Sequence, residues 1–213
     1  NVTYDLTLGR EGDSQGTYTL ADTATLTTAN TYVGVYGMGT FTQTGGSHSV
    51  TGGLVLGEGR VDGMVGSGTY NLNAGTLAAG YLVVGNQGTG IFNHGAATVT
   101  LTGNGYVGYD ATGVGTYNLN YGGVLHSDMG EFVVGSVGTG TFNQDAGSTF
   151  TTYGLFVGDG VVGTFNQLGG MTTVAGNLGV GIAVGGTGFY NLSDGALEAG
   201  GLYVGYEGTG TFT

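Results

Sequence analysis

Apolar residues recur along this chain in short groups that end in glycine. A second short group built around Phe or Tyr follows each of them. In residues 81–94, for example, Tyr-Leu-Val-Val-Gly is followed by the turn Asn-Gln-Gly and then by Thr-Gly-Ile-Phe-Asn-His. The closing glycine of the first group occurs nine times, at steps of 23 to 28 residues: Gly9, Gly34, Gly57, Gly85, Gly108, Gly135, Gly158, Gly181 and Gly205. Self-similarity at a nearly fixed period predicts a stacked repeat architecture.

Each repeat contains three runs with strand periodicity, such as residues 81–84, 89–94 and 98–102, separated by turns that contain glycine. No window offers a helical spacing of apolar residues without an intervening glycine. The pattern predicts an all-β chain folded as a right-handed parallel β-solenoid (β-helix), with about 24 residues and three short strands in each triangular coil. We expect residues 1–213 to form a single solenoid domain of eight complete coils and a partial ninth. A β-propeller would need about 40 residues per blade, so two units would have to make one blade.

Stacking of the coils predicts columns of equivalent residues. The aliphatic residue before each closing glycine, and the residue two positions earlier, are expected to point inward. On the second strand, we place the aromatic column inward and the Thr and Asn columns outward. The opposite phase stays open, because Asn ladders also occur inside β-stacks. The predicted stacked aromatic column consists of Tyr18, Phe41, Tyr70, Phe92, Tyr117, Phe142, Phe165, Tyr190 and Phe212.

A second periodicity is superimposed on the first. Coils in which Tyr is followed two positions later by Leu alternate, for most of the chain, with coils in which Phe is followed by Gln or His. We interpret this alternation as duplication of a two-coil block.

The outward column of the first strand is unusually apolar. A solvent-facing strand position is normally polar or charged, and a contiguous apolar stripe is typical of an interface. The alternative is that these residues are present for their strand propensity. The predicted lateral interface consists of Tyr32, Val55, Val83, Tyr106, Val133, Phe156 and Tyr203.

Charge excludes several classes of function. The chain has 14 acids, two arginines and no lysine, for a net charge of −12. Binding to a nucleic-acid backbone requires clustered cations, so no nucleic-acid partner is expected, and anionic membrane surfaces are disfavoured for the same reason. The sequence contains no cysteine and no apolar run long enough for a membrane span.

Acids gather in the turns after the closing glycines, and we expect them to serve solubility. No cofactor is predicted. Weak Ca²⁺ binding along this edge is the alternative, although the turns vary in length, which works against a regular coordination geometry. The acids are Glu11, Asp13, Glu58, Asp62, Asp110, Asp159 and Glu207.

Catalytic chemistry is not indicated, and we expect the chain not to be an enzyme. Glycoside hydrolysis needs two acids across a cleft. The three histidines (His48, His94 and His126) fall in different coils without a nucleophile or acid motif beside them. We therefore interpret them as surface residues or column fillers.

The repeated motif resembles the Gly-rich repeats of type V autotransporter passengers and of exosortase-sorted surface proteins. In residues 134–144 it reads Val-Gly-Ser-Val-Gly-Thr-Gly-Thr-Phe-Asn-Gln, and about nine copies cover the chain. The resemblance implies a β-helical stalk or adhesin that is extracellular or at the cell surface. The resemblance says little about a ligand, because the motif is structural. The alternative function is a carbohydrate-active β-helix enzyme or a glycan-binding adhesin, for which surface glycans would be the partner.

The two ends of the sequence carry no capping element. Residues 1–9 enter directly as a first strand, and residues 209–213 stop inside a second strand. Unpaired strand edges on unlike ends favour head-to-tail contact that does not close. We therefore expect self-association into a filament; the alternative is that the sequence is an excerpt of a longer rod.

Overall fold

The computed structural model describes residues 4–59 and 63–213, and every regular element in these ranges is a β-strand. The strands are β1 (Leu6–Leu8), β2 (Gln15–Leu20), β3 (Thr25–Thr28), β4 (Thr31–Val33), β5 (Met38–Gln43), β6 (Ser47–Leu56), β7 (Ser67–Leu72), β8 (Thr76–Val84), β9 (Thr89–His94), β10 (Thr98–Leu101), β11 (Gly105–Val107), β12 (Val114–Leu119), β13 (Val124–Val134), β14 (Thr139–Gln144), β15 (Thr149–Val157), β16 (Val162–Gln167), β17 (Met171–Val180), β18 (Thr187–Leu192), β19 (Ala196–Val204) and β20 (Thr209–Phe212).

The strands form two parallel sheets in which each strand pairs with its equivalents in the coils before and after it. One sheet runs in the order β1-β4-β6-β8-β10-β13-β15-β17-β19, with β3 and β11 paired beside this path. The other runs β2-β5-β7-β9-β12-β14-β16-β18-β20. Paired strands lie about 24 residues apart in the sequence, giving about eight turns. The prediction of an all-β parallel β-solenoid is therefore confirmed.

The third strand of one coil and the first strand of the next form a single element in most coils. Strand β6, for example, contains both, and its register against β8 shifts between Val50 and Gly53. Equivalent shifts occur in β13, β15 and β17. The two segments remain separate strands only where β3 precedes β4 and where β10 precedes β11, within the described ranges. The three predicted strands are thus present, but two of them usually join at a corner.

The two longest repeats depart from the regular strand pairing at different places. In the repeat after Gly57, the chain leaves the sheets near Gly59, which forms an isolated antiparallel bridge with Val65. In the repeat after Gly108, the register of β13 shifts between Ser127 and Glu131, where Met129 is 80% exposed. The period can therefore vary while the core remains continuous.

The closing glycines meet two requirements that other residues do not. Gly85 has a φ of 77°, in the left-handed region that favours glycine. A Cβ atom at this position would also collide with the backbone of Val114 in the next coil. The corner after each first strand therefore needs both positive φ and the absence of a side chain.

The core is a single column of side chains enclosed by the two sheets. The residue before each closing glycine is buried in coils one to eight, from Leu8 to Val180, as are Leu54, Leu82 and Phe132 two positions before theirs. Alternate residues are also buried on the strands of the second sheet from β5 to β16, as in β9, where Phe92 and His94 have no exposed surface.

Candidate functional site: a tyrosine-lined groove outside an aromatic stack

The predicted lateral interface forms the floor of a groove in its first part, from Tyr32 to Tyr106, while Phe156 and Tyr203 line a separate cavity. Its three valines, Val55, Val83 and Val133, point away from the core yet are only 5%, 5% and 4% exposed. Tyr32, Tyr106 and Phe156 are half-buried, and Tyr203 is 47% exposed in the last coil. The short side chains are thus recessed between neighbouring parts of the same coils.

Aromatic side chains contribute to both sides of this floor. From the corner before the first strand, the ring of Tyr81 lies where a side chain on Gly53 would point. From the turn after the first strand, Tyr109 packs against Tyr106 with ring centroids 4.7 Å apart at an angle of 60°. The Tyr106 hydroxyl accepts a hydrogen bond of 2.8 Å from the side-chain amide of Asn104. These contacts hold the rings in place without removing them from solvent, since Tyr81 and Tyr109 remain 40% and 41% exposed.

Two adjoining cavities occupy the groove over its first five coils. The first, of 620 Å³, is lined by Tyr4, Asp5, Thr7, Arg10, Ala29, Tyr32, Val35, Tyr36 and Glu58. The second, of 360 Å³, is lined by Tyr32, Val55, Glu58, Tyr81, Val83, Asn86, Tyr106 and Tyr109. Because both include Tyr32 and Glu58, they form one continuous groove. A separate cavity of 260 Å³ lies farther along the same column, between Phe156, Asn177, Ile182, Tyr203 and Tyr206.

The polar groups of the groove are mainly acids and amides. Burial raises the pKa of the Glu58 carboxyl above its ordinary value. The pKa of Tyr32 is raised by burial first and then by the nearby Tyr81, Asp5 and Glu58. One Asp5 carboxylate oxygen accepts hydrogen bonds from the backbone N–H of Asn30, at 3.0 Å, and from its side-chain amide, at 2.9 Å. The local potential is therefore negative, apart from the exposed Arg10, which lies 3.8 Å from Glu11.

The acids after the closing glycines do not converge. No group of three or more His, Cys, Asp or Glu side chains that could hold a metal ion occurs in the described ranges. Asp110 is held by its neighbours: hydrogen bonds from Gln87 and from the Ala111 backbone lower its pKa. Burial raises the pKa of Asp159. Asp62 lies outside the described residues, as does Arg60.

Inside the solenoid, the nine aromatic side chains from Tyr18 to Phe212 form one continuous stack. Ring centroids in successive coils are 4.5 to 5.0 Å apart. The seven rings from Phe41 to Tyr190 have no exposed surface. On the outer face of the same strands, the Asn side chains form a ladder, in which each amide from Asn93 to Asn191 donates to the Asn of the preceding coil at 2.8 or 2.9 Å. Aromatic residues therefore face inward and Asn residues face outward.

The alternation of Tyr and Phe along the stack has a hydrogen-bonding cause. Each fully buried Tyr ring follows a coil that carries Gln or His two positions after its Phe. The Tyr70 hydroxyl donates to Oε1 of Gln43 at 2.8 Å, and the Tyr190 hydroxyl donates to Oε1 of Gln167 at 2.6 Å. The Tyr117 hydroxyl lies 2.8 Å from Nδ1 of His94. The two-coil block is thus a pair of coils joined by a buried polar contact.

Two of the three histidines belong to this interior network. Nε2 of His94 lies 3.0 Å from the carbonyl oxygen of Ala97, so Nε2 carries the proton and Nδ1 accepts from Tyr117. His48 has the opposite tautomer, because Tyr70 already donates to Gln43 and its oxygen must accept from Nδ1 of His48 at 2.9 Å. Burial lowers the pKa of both histidines to about 4. His126 is half-buried on the outer face, 2.9 Å from the Thr151 hydroxyl.

Sequence reasoning did not identify the groove or the interior network. The tyrosines of the groove, such as Tyr81 and Tyr109, come from corners and turns that the repeat pattern leaves variable. The signal for the interior network was present in the sequence, since Gln or His precedes each internal Tyr coil. This signal has a structural meaning only because the side chain two residues after the aromatic residue also points inward.

Comparisons with known proteins add no identity to this geometry. A scan against protein-family models, a search of curated proteins and a search of solved structures each found no match. In the ranges that the structure describes, no helix is long and apolar enough to cross a membrane.

Proposed function

We propose that this chain is an extracellular structural protein, a β-solenoid that acts as a surface stalk or adhesin or as the subunit of a filament. The observation that carries the proposal is the continuous stack of nine aromatic rings. It connects every coil to the next with centroid spacings of 4.5 to 5.0 Å. The most regular chemistry in the chain therefore serves cohesion along the axis.

Three layers of contacts support this axial cohesion. Parallel backbone pairing joins each strand to its equivalents, the rings stack inside, and the Asn ladder runs along the outside. In the described part of the chain, no buried side-chain nitrogen or oxygen lacks a hydrogen-bond partner. About eight coils at the strand spacing of about 4.8 Å give a rod about 40 Å long.

Location outside the cell is part of the proposal. The charged fraction of 8% and the resemblance of the repeats support it, and the absence of cysteine is compatible with it. For assembly, we propose that chains associate head-to-tail through the contacts that join coils within one chain. Lateral association through the first-strand stripe is less favoured, because its valines are recessed in a groove that a second rod would not fill.

The groove supports a second candidate function, that of a glycan-binding adhesin or a carbohydrate-active β-helix enzyme. Asp5 and Glu58 line the same cavity, as the acids of such an enzyme would. We favour the non-enzymatic role because one Asp5 oxygen is already engaged by Asn30. Incubation with a panel of polysaccharides distinguishes an enzyme from a non-enzymatic protein, since sustained release of products would contradict the structural role.

Imaging and small-angle scattering test the structural proposal directly. We expect rods by negative-stain microscopy, which lengthen along their axis as the protein concentration rises. The variant Phe92→Ala, which interrupts the stack, should reduce rod stability and assembly, whereas Tyr121→Ala, at a 75% exposed position, should not. Compact particles at every concentration, or identical behaviour of the two variants, would contradict the proposal.

A further inference from the structure

We propose that the groove formed by the two adjoining cavities is a binding site for an uncharged polysaccharide chain, which lies along the solenoid axis. The site is centred on Tyr32, Tyr81, Tyr106 and Tyr109, with Glu58 and Asn86 as polar partners. This inference extends the proposed function by naming the partner of the outer surface. It does not depend on filament assembly.

The shape of the groove selects a narrow, extended ligand. Its floor at Val55 and Val83 is 5% exposed, so only a thin chain can enter between the side walls. The adjoining cavities of 620 and 360 Å³ fall within the range of small-molecule sites, about 300 to 1,000 Å³. They continue from coil to coil in one direction, as a polymer would require.

The side chains of the groove offer two kinds of contact that are complementary to a sugar ring. The face of a Tyr ring carries partial negative charge and attracts the polarised C–H bonds on one face of a pyranose. Glu58 and Asn86 supply oxygen acceptors for sugar hydroxyls, and Asn86 also supplies an amide donor. Tyr81 and Tyr109 keep about two-fifths of their surface exposed, so ring faces remain accessible to a ligand.

Regular spacing favours a polymer with a repeating unit. Parallel pairing places Tyr106 beside Val83 and Val83 beside Val55 in register. Equivalent floor positions therefore recur at the strand spacing of about 4.8 Å. A polymer laid along the axis would cross one floor residue in each of four successive coils, namely Tyr32, Val55, Val83 and Tyr106.

Charge decides which polysaccharides are accepted. The chain carries a net charge of −12. Glu58 lines both cavities, and Asp5 lines the first together with the exposed Arg10, which lies 3.8 Å from Glu11. Polyuronates and sulfated glycans would be repelled by this potential. Neutral glycans such as glucans and N-acetylglucosamine polymers are not.

Affinity electrophoresis and calorimetry with defined probes test the site. The probes are neutral hexasaccharides of β-1,4-linked glucose and of N-acetylglucosamine, soluble β-glucan and glucomannan, and polygalacturonate as the anionic comparison. We expect at least one neutral probe to bind and polygalacturonate to bind at least about tenfold more weakly. Absence of binding to every neutral probe, or equal binding of polygalacturonate, would overturn the proposal.

Variants then locate the binding on the protein. The double variant Tyr81→Ala and Tyr109→Ala removes two exposed rings and should weaken binding at least about tenfold. Tyr121→Ala removes a ring outside the groove that is more exposed, at 75%, and should leave the affinity unchanged. Far-UV circular dichroism and thermal unfolding establish that the variants are folded. A folded double variant with wild-type affinity would refute the site.

The outcomes for the site and for the structural role remain distinguishable. A rod-shaped protein that binds no neutral glycan would refute the groove proposal alone. If the protein bound the polysaccharide and cleaved it, the groove would remain the binding site, but the non-enzymatic role would be refuted.

Discussion

Two regions of the interior fill equivalent positions of the solenoid in opposite ways. We call the first region the polar pair, after the contact between His48 and Tyr70. Together with Gln43, these residues form a chain of hydrogen bonds across three strands. In the second, the phenylalanine cluster, Phe165 occupies the position of Tyr70 in the aromatic column, and Phe150 occupies the position of His48 in its own column.

The phenylalanine cluster is where the Tyr and Phe alternation breaks. The ring of Phe150 lies 5.2 Å from Phe142 and 6.1 Å from Phe165. Gln144 retains its buried position, but its Oε1 accepts from the Thr172 hydroxyl at 2.5 Å instead of from a Tyr. A buried polar residue in this fold therefore depends on hydrogen-bond partners from other strands. Changing one member alone leaves a donor or acceptor without a partner.

The largest effect is expected from removing a ring of the phenylalanine cluster. Phe150→Ala should lower the free energy of unfolding by about 3–5 kcal/mol, because Phe150 has no exposed surface and its loss leaves a cavity. Urea denaturation measures this loss. The matched variant His48→Leu should cost about 1 kcal/mol, since Leu26 and Leu77 occupy the neighbouring positions of that column and show that Leu fits. Equal costs would show that the two regions do not differ in packing.

The sequence predicted the architecture far better than it predicted these regions. Periodicity identifies the coils, the corner glycines and the inward aromatic column, because each coil repeats the same contacts. It does not show that His48 lies next to Tyr70, since this contact joins residues 22 positions apart in different sheets. The groove is less predictable still, because the positions of Tyr81 and Tyr109 carry other residues in most coils.

Acid should destabilise the polar pair and not the phenylalanine cluster. Burial lowers the pKa of His48 to about 4 in the folded protein, against about 6.5 in the unfolded chain. Above pH 6.5 both states are neutral, and as the pH falls towards 4 only the unfolded state takes up the proton. Stability is therefore lost through this window, by about 3 kcal/mol for each such histidine.

The variant His48→Leu isolates this contribution. Its free energy of unfolding should fall by about 3 kcal/mol less than that of the wild type between about pH 7 and pH 4. The second buried histidine, His94, gives an independent check, because its pKa is also about 4. The variant His94→Gln replaces it with the residue that other coils use at this position. Urea titrations at a series of pH values measure both. Parallel pH profiles for wild type and variants would contradict the assignment of neutral buried histidines.

A smaller effect is expected from removing the acceptor of the polar pair. Gln43→Leu fits the column, since Leu20 and Leu72 flank it in register, but it leaves the Tyr70 hydroxyl without its acceptor. It also removes the amide that donates to the carbonyl oxygen of Thr76 at 3.0 Å. We expect a loss of about 1–3 kcal/mol. Addition of Tyr70→Phe should recover part of it, and a double variant that is no more stable than the additive sum would argue against the hydrogen bond.

The smallest effect, and the closest test of the comparison, is to rebuild the polar pair inside the phenylalanine cluster. Phe165→Tyr alone places a hydroxyl against the ring of Phe150, and Phe150→His alone places an imidazole among phenylalanines. Each single change should therefore be destabilising. Together they reproduce the polar pair, because Oε1 of Gln144 has a second lone pair to accept from the new hydroxyl beside the Thr172 bond.

The register also supplies one hydroxyl for the new imidazole. Nε2 of His48 lies 3.2 Å from the Thr31 hydroxyl and 3.4 Å from that of Thr28, and Thr28 is equivalent in its column to the buried Ser127, one coil before Phe150. A double-mutant cycle by urea denaturation at neutral pH should give a favourable coupling of about 1 kcal/mol between Phe150→His and Phe165→Tyr. The double variant should also acquire an additional loss of stability in acid. Strict additivity would mean that the two regions are distinguished by backbone differences and not by their side chains.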